Sequence, residues 1–333
     1  MQKSKIISAI FIHIGVALVL FSSAVPAQAQ SNNPFTGLPV DTARRPVLIK
    51  VSNEAAVRPQ TGLSQADVVI EGYAEGNILR LNALYLTNLP DKVGSVRSCR
   101  LIDLELPMIF DAGLLCSGTS DGTLKRMAKS AAYLDNRILV NNNGKFECAG
   151  CPLYRVSGVR VPHNLFGNAA RALNVLQERG KNQPSTFGTW RFDGATPSEG
   201  TALNTVTMPY ASGRVGWTYN PGTGRWARSM IGRPHFDRGT GQQLSATNVV
   251  VVYVNHQLSD IREDSLGSRG IEIQLWGEGA VKVFRDGKVI DGKWSRPAGV
   301  GLNFTNGSGQ PISLKPGNTW IELVPIGFNI VVQ

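Results

Sequence analysis

The first half of the chain alternates short apolar runs with stretches of helical periodicity. The apolar runs are five to nine residues long, are rich in branched side chains and end at turn-forming residues, which favours β-strands. The predicted strands cover residues 46–52, 66–73, 79–87, 113–117 and 137–142. Helical spacing is found at residues 101–110, 123–134 and 163–180, and Gly180 ends the last of these as a C-terminal cap. This half therefore predicts an α/β arrangement.

The second half has a different pattern, with alternating strands joined by tight turns. The pairs Asp286-Gly287, Asp291-Gly292 and Asn306-Gly307 are strong hairpin signals, because both turn positions need positive φ. About six to eight strands are predicted from this pattern. The complete prediction is an N-terminal extension, an α/β (α+β) domain, a polar connector and a β-rich C-terminal domain, at residues 30–44, 45–180, 181–209 and 210–333.

Residues 1–29 have the pattern of a secretory signal peptide. Lys3 and Lys5 precede an apolar run over residues 6–21, and small residues lead up to Ala29. The apolar run is short for a membrane span. We therefore expect export to the periplasm or the extracellular side, with cleavage near Ala29. Because no cysteine stands at the cleavage site, no lipid anchor is expected.

The chain is basic, with a formal net charge of +10 that falls to +8 when the two lysines of the signal peptide are removed. For an exported protein this charge favours an anionic envelope partner, such as a wall polymer, a glycan carboxylate or a lipid head group, over nucleic acid. The alternative is that an evenly spread positive charge only keeps the protein soluble.

The four cysteines all lie in the first half and, in an exported chain, favour disulfides. Cys148 and Cys151 could close a small ring, which would leave Cys99 with Cys116, but three connectivities are possible. A redox role for the CAGC segment is disfavoured because a proline and a strand-like segment follow it instead of a helix. The scattered cysteines suggest no zinc site, and the sequence predicts no metal and no cofactor.

Charge is concentrated between residues 58 and 103, among strands that otherwise read as buried. Glu71 and Glu75 follow an apolar strand, four positions apart. If they converge on one cleft, one protonated and one ionised, they could perform acid/base chemistry on a glycan. The alternative is that either glutamate forms ion pairs with Arg80, Arg97 or Arg100.

Arg97 and Arg100 flank Ser98 before a predicted helix whose first turn holds Asp103. Two guanidiniums beside the N–H groups of a helix start make a candidate site for a carboxylate or a phosphate. The alternative is that Ser98 only caps the helix while the arginines pair with Asp103 and Glu105.

Ser120 lies in a G-x-S-x-G segment between a predicted strand and a predicted helix, which is the context of a nucleophile elbow. No acid is evident for a triad with His163, and a helix cap explains Ser120 without any catalytic role, so the helix cap is favoured. His163 and Asn164 are expected to open the helix at 163–180. With Arg80, Arg97, Arg100 and Ser120, they complete the predicted ligand-binding residues.

Several segments together resemble the YerB-like family. They are RPQTGLSQADVVIEGYAEGNILR, VGSVRSCR, PHNLF, NVVVVYV, VFRDGKVIDGKW and GNTWIEL. The resemblance implies an exported or lipid-anchored bacterial envelope protein of two parts, with no established activity. Two positions depart from the family pattern, since Leu79 replaces a threonine and Cys116 replaces a histidine. Chemistry that depends on that histidine would be absent or altered here.

Three functions are compatible with these patterns. The first is an envelope protein that binds an anionic cell-wall component through a cleft of arginines and glutamates. The second is a glycan-cleaving enzyme with Glu71 or Glu75 as the general acid. The third is a scaffold for other envelope proteins, which would present a large apolar surface patch.

Overall fold

Strands from both halves of the chain join in one central sheet. The computed structural model describes residues 31–296, 299 and 301–333, so the predicted signal peptide lies outside the described residues. The strands before residue 180 are β1 (Ser31–Asn32), β2 (Pro39–Val40), β3 (Val47–Ser52), β4 (Val68–Tyr73), β5 (Leu79–Tyr85), β6 (Val93–Gly94), β7 (Gly113–Cys116), β8 (Ile138–Val140), β9 (Leu153–Arg155) and β10 (Leu165–Gly167).

The later strands are mostly joined as hairpins. They are β11 (Thr201–Ala202), β12 (Thr205–Tyr210), β13 (Gly213–Asn220), β14 (Arg225–Met230), β15 (Arg233–Pro234), β16 (Ser245–Ala246), β17 (Asn248–Val254), β18 (His256–Arg262), β19 (Arg269–Ile273), β20 (Gly277–Arg285), β21 (Lys288–Arg296), β22 (Asn303–Asn306), β23 (Thr319–Pro325) and β24 (Val331–Val332). Several of these strands have only two residues, too few for a sequence pattern to reveal.

The helices are short. The α-helices are α1 (Leu106–Ile109), α2 (Asp121–Met127), α3 (Ala131–Leu134) and α4 (Ala169–Glu178), and 3-10 helices lie at Ala55–Val57, Leu63–Gln65, Glu75–Asn77 and Leu101–Leu104. All four α-helices of the described residues precede residue 180. The predicted fold class, α/β followed by β-rich, is therefore confirmed. No helix in the described part of the chain is long and apolar enough to cross a membrane.

The central sheet has eleven strands, in the order β11-β21-β20-β17-β23-β4-β5-β3-β7-β8, with β22 beside β21. Strand β23 joins the two halves, because it pairs in parallel with β17 on one side and with β4 on the other. A six-stranded sheet, β15-β14-β13-β12-β24 with β16 beside β14, belongs entirely to the second half.

Each face of the central sheet packs a separate apolar core, because alternate side chains of a strand point to opposite faces. On β3, Leu48 points to the core formed with α1, α2 and α3, whereas Val47 and Ile49 point to the core formed with α4 and the six-stranded sheet. The molecule thus has three layers, and the functional side chains described below emerge where β3, β4 and β7 end.

The predicted helix at residues 163–180 begins later than expected. Residues 165–167 form β10, which pairs with β6 and β9, and Asn168 caps α4 by accepting a hydrogen bond from the Arg171 N–H. A run of three apolar residues fits a strand as well as a helix, so periodicity could not separate the two. His163 and Asn164 consequently lie in a loop before β10.

The predicted connector, residues 181–209, is more than a surface link. Phe187 and Trp190 within it are buried in the core beside the first helices, and β12 begins at Thr205. Aromatic contacts with Phe35 and Phe110 hold this segment against the first half. Because the segment is mostly polar in composition, the sequence did not predict that Phe187 and Trp190 are buried.

Both disulfides that the small-ring alternative implied are present, Cys99–Cys116 and Cys148–Cys151. The first is buried and links the segment before the Leu101–Leu104 helix to the end of β7. Cys116, where the family pattern has a histidine, is therefore a structural residue in this chain.

Candidate functional site

A cleft of about 390 Å³ opens where β3, β4 and β7 end. These three strands run in one direction, since β3 pairs in parallel with β7 while β3 and β4 are both antiparallel to β5. Residues that follow parallel strands meet at one edge of a sheet, which brings Glu54, Glu75 and Ser117 together. The cleft is lined by Glu54, Glu75, Arg80, Val96, Arg97, Ser98, Arg100, Ser117, Arg155, Pro162, His163, Leu165 and Asp264.

Glu75 lies at one end of the cleft between two arginines. Its carboxylate accepts hydrogen bonds from Arg80 Nη2 at 2.9 Å and from Arg100 Nε and Nη2 at 2.5 Å each. Burial opposes ionisation of Glu75, but the hydrogen bonds from Arg100 and the charges of both arginines outweigh it and lower the pKa to about 2. Glu75 is therefore a carboxylate at neutral pH, as the ion-pair alternative expected.

Arg97 forms the middle of the cleft with Glu54 and His163. Its Nε and Nη2 donate to the two Glu54 oxygens at 3.3 and 3.2 Å, and its Nη1 donates to the Pro162 carbonyl at 2.9 Å. Nη2 also lies 2.5 Å from His163 Nδ1, and since a guanidinium only donates, Nδ1 accepts and Nε2 carries the ring proton. Burial would raise the pKa of Glu54, but Arg97 outweighs it and lowers that pKa.

Arg155, on β9, is the most exposed of the four arginines in the cleft, with 42% of its side chain accessible. It donates to Glu147 at 2.5 Å and to the Asn164 side-chain oxygen at 2.8 Å. Asn164 is buried and does not line the cleft. Because its side-chain oxygen accepts the hydrogen bond from Arg155, Asn164 helps to orient that arginine.

Ser120 also lies outside the cleft lining. Its hydroxyl accepts a hydrogen bond from the Thr123 N–H at 3.2 Å and caps α2. The side chain of His163 lies within hydrogen-bond distance of Arg97, and no hydrogen bond joins His163 to Ser120. The G-x-S-x-G segment therefore forms a helix cap in this chain.

The helix start after Ser98 is not open to an anion. The helix over Leu101–Leu104 is capped by Arg100, whose N–H donates to Asp103 Oδ2 at 2.6 Å. The other Asp103 oxygen accepts from the buried Lys50 ammonium at 2.9 Å. The predicted anion site at this helix terminus is thus occupied by a side chain of the protein, while Arg97, Ser98 and Arg100 line the cleft.

Glu71 does not converge with Glu75, which corrects the predicted carboxylate pair. Strand alternation points Glu71 to the opposite face of the central sheet, where it is fully buried against the six-stranded sheet. It accepts hydrogen bonds from Arg228 at 2.8 and 3.1 Å, from Asn53 at 2.7 Å and from Trp320 at 3.1 Å. Glu71 is therefore a structural residue of the core.

The partner of Glu71 in register on β23 is Glu322, a second buried carboxyl. Tyr210 and Trp217 donate to Glu322 at 2.9 and 3.1 Å, and Arg228 lies 3.6 Å from it. Burial and the neighbouring Glu71 charge raise the pKa of Glu322 to about 8, despite Arg228. One guanidinium thus faces two carboxyls, and the pair retains a proton near neutral pH.

We expect the free energy of unfolding to fall by about 2 kcal/mol between pH 6.5 and 8. In this window Glu322 has lost its proton in the unfolded state and keeps it in the native state, so stability decreases as pH rises. Below pH 6.5 the buried His235, whose pKa is lowered to about 3 by burial and by Arg228, has the opposite effect.

Urea unfolding at pH 6.5 and pH 8 measures this fall. Glu322→Gln should remove most of it, whereas Glu278→Gln, at an exposed glutamate on β20, should keep it. An equal fall in the Glu322→Gln variant would show that another group is responsible.

Several residues of the cleft were not found from the sequence. Glu54 and Arg155 carry no motif, and the acidic loop after β18 is not among the predicted site residues. In the structure Glu263 of this loop is buried, accepts a hydrogen bond from Thr123 at 2.6 Å and lies 3.5 Å from Arg100, while Asp264 lines the cleft. Only the local cluster of acidic residues beside glycine could have drawn attention to this loop.

Metal binding has no support from this geometry. Within residues 31–296, 299 and 301–333, histidine, cysteine and acidic side chains do not gather in a group of three or more placed to hold a metal ion.

Comparisons with known proteins agree with the two-part organisation. The N-terminal domain model of a protein family of unknown function, DUF3048, matches residues 35–182, and the C-terminal domain model matches residues 206–321. The chain is 30% identical over 310 residues to a putative lipoprotein of Bacillus subtilis (strain 168), YerB, covering 91% of this chain and 89% of that protein. It also matches the crystal structure of Bacillus subtilis YerB with a TM-score of 0.77 and 28% identity, covering 91% of this chain and 100% of the other.

Proposed function

Because this chain belongs to the DUF3048 family, whose function is unknown, we propose from its own cleft that it binds an anionic group of the cell wall. The observation that carries the proposal is the set of four guanidiniums, from Arg80, Arg97, Arg100 and Arg155, that line one cleft. Guanidiniums bind carboxylates and phosphates through paired, charge-assisted hydrogen bonds. Ser98 and Ser117 belong to the same lining.

An envelope location supports a cell-wall ligand. The Bacillus subtilis relative YerB is named a putative lipoprotein, and residues 1–29 of this chain have the pattern of a secretory signal peptide. The first cysteine of this chain is Cys99, far from the signal peptide. We therefore propose an exported protein that is released from its signal peptide near Ala29.

Binding agrees with the charge state of the cleft better than glycan cleavage does. A general acid must hold a proton near neutral pH, but the two arginines around Glu75 lower its pKa to about 2. Glu71 has no access to the cleft. The paired carboxylates of the cleft fit a role in holding the guanidiniums in place.

The direct test is to incubate the purified protein with peptidoglycan sacculi and to measure both the protein that sediments and the soluble fragments released. Sedimentation without fragments, weakened by added salt, is the expected result. Fragments that disappear in Glu75→Gln would replace the proposal with an enzymatic one. Protein that stays in solution would overturn it and favour a protein partner.

Arg155→Ala should lower the affinity for sacculi by about tenfold, because one hydrogen bond to a charged group contributes about that much to binding. Because Arg155 is 42% exposed, its removal should leave the fold intact. The matched control is Arg126→Ala, since Arg126 is 55% exposed and pairs with Glu272 at 2.6 Å away from the cleft. Equal binding by the two variants would contradict the assignment of the ligand to this cleft.

A further inference from the structure

We infer that the ligand of the cleft is zwitterionic, with an ammonium group close to the carboxylate that the arginines bind. The inference rests on the proposed function and specifies the chemical class of the ligand. It starts from the balance of charge: the four arginines are accompanied by three carboxylates in the lining, from Glu54, Glu75 and Asp264. Two more carboxylates, Glu263 and Glu147, contact Arg100 and Arg155.

Acidic side chains at the cleft therefore outnumber the arginines. Arg97 pairs with Glu54, Arg80 and Arg100 pair with Glu75, and Arg155 pairs with Glu147. The low pKa values of Glu54 and Glu75 keep both ionised at neutral pH. A ligand with negative charge alone would meet repulsion from these carboxylates, which makes a polyanion a poor fit.

Asp264 supplies the acidic position for an ammonium group. No basic side chain of the described residues forms an ion pair with it, and its Oδ1 accepts the N–H groups of Leu266 and Ser268 at 3.0 and 2.9 Å. Because Oδ1 is fixed in this way, the carboxylate has a defined orientation while the side chain stays exposed to solvent.

The loop that carries Asp264 is held against the first half of the chain. Glu263 accepts from Thr123 at 2.6 Å, and the Ile261 side chain packs so closely on Gly122 that an added Cβ would lie 2.7 Å from it. Asp264 is thereby placed at the Glu75 end of the cleft, whereas Arg155 and His163 belong to the other end.

The volume of the cleft, about 390 Å³, suits one or two amino-acid residues better than a folded polymer. Val96, Pro162 and Leu165 give the lining an apolar part that a short side chain could contact. The stem peptides of the cell wall carry a zwitterionic group where a diamino acid has both a free ammonium and a free carboxylate. The inferred ligand is thus the zwitterionic end of a short peptide.

The test uses two synthetic probes and isothermal titration calorimetry. One probe is the N-terminally acetylated tripeptide N-acetyl-L-Ala-γ-D-Glu-meso-diaminopimelate, and the other is the same peptide with the side-chain ammonium of its last residue also acetylated. We expect the free ammonium to strengthen binding about two- to fivefold, because the ion pair that it forms with Asp264 is exposed to solvent. Equal affinity for the two probes would refute the inference of a zwitterionic ligand and would leave the proposed anion binding intact.

Asp264→Asn should reduce binding of the free probe about two- to fivefold, the range of a solvent-exposed ion pair, and leave the acetylated probe unchanged. Asparagine keeps the Oδ1 acceptor for Leu266 and Ser268, so the loop should retain its shape. Asp260→Asn, at an exposed aspartate on the same hairpin that pairs with Arg269, is the matched control. Loss of both probes in Asp264→Asn would contradict a specific role for its charge. If neither probe binds the wild-type protein, the inference fails, and sedimentation with sacculi decides the proposed function separately.

Discussion

Replacing Arg228 with methionine is expected to lower the free energy of unfolding by about 3–5 kcal/mol. Arg228 is the guanidinium between the two sheets, and it lies over Trp320 and Trp217 at 4.6 and 5.3 Å from the ring centroids. Its loss leaves Glu71 and Glu322, which are adjacent in register and fully buried, without a positive partner. Urea unfolding followed by circular dichroism measures the change.

The control for this variant is Arg225→Met on the same strand. Arg225 is half-buried and donates only to neutral acceptors, on Ser245, Thr247 and Asn318. Its replacement should cost about 1–2 kcal/mol, because no buried charge is left behind. Adding Glu71→Gln and Glu322→Gln to Arg228→Met should recover much of the stability. A loss below about 1 kcal/mol for Arg228→Met would refute the charge argument.

Replacing Glu75 with glutamine should destabilise the protein by about 3 kcal/mol at pH 7. The lowered pKa of Glu75, from 4.5 to about 2, means that its ionised form stabilises the fold at every pH above 4.5. That contribution is lost as pH falls through 2, where wild-type Glu75 is itself protonated. The difference between variant and wild type should therefore shrink to about half at pH 3.

Glu54→Gln is the matched control for Glu75, since Glu54 is a carboxylate of the same cleft with a single arginine partner. Its side chain is 27% exposed, so solvent screens the pair and a loss of about 1 kcal/mol or less is expected. Equal losses for the two variants would show that burial between two arginines does not set the stability contribution of Glu75. Unfolding curves at pH 7 and pH 3 give both comparisons.

Local patterns predicted the elements of this fold better than they predicted its pairings. The branched runs became β3, β4, β5, β7 and β8, because each alternates between two buried faces. The pairing of β4 with β23 had no local signal, since Glu71 and Trp320 are 249 positions apart in the chain. Strand content is a property of short windows, whereas sheet order depends on contacts that no window contains.

The candidate site was predicted in part, for a similar reason. Glu75, Arg80, Arg97 and Arg100 come from one dense stretch and do meet in the cleft, with His163 added from a loop. Glu71 was misplaced because a strand of uncertain register does not tell which face a side chain takes. Asp264 was missed because its loop reaches the cleft only through the packing of β18 on α2.

The central position of β23 also determines when this protein can fold. The chain is synthesised from its N-terminus, so β4 is made long before residues 319–325. Until those residues are available, one edge of β4 has no partner strand. Pairing at this sequence distance is slow, because a long loop must close before the contacts stabilise it. We therefore expect the two family domains to fold as one unit, because the central sheet is complete only when almost the whole chain is available.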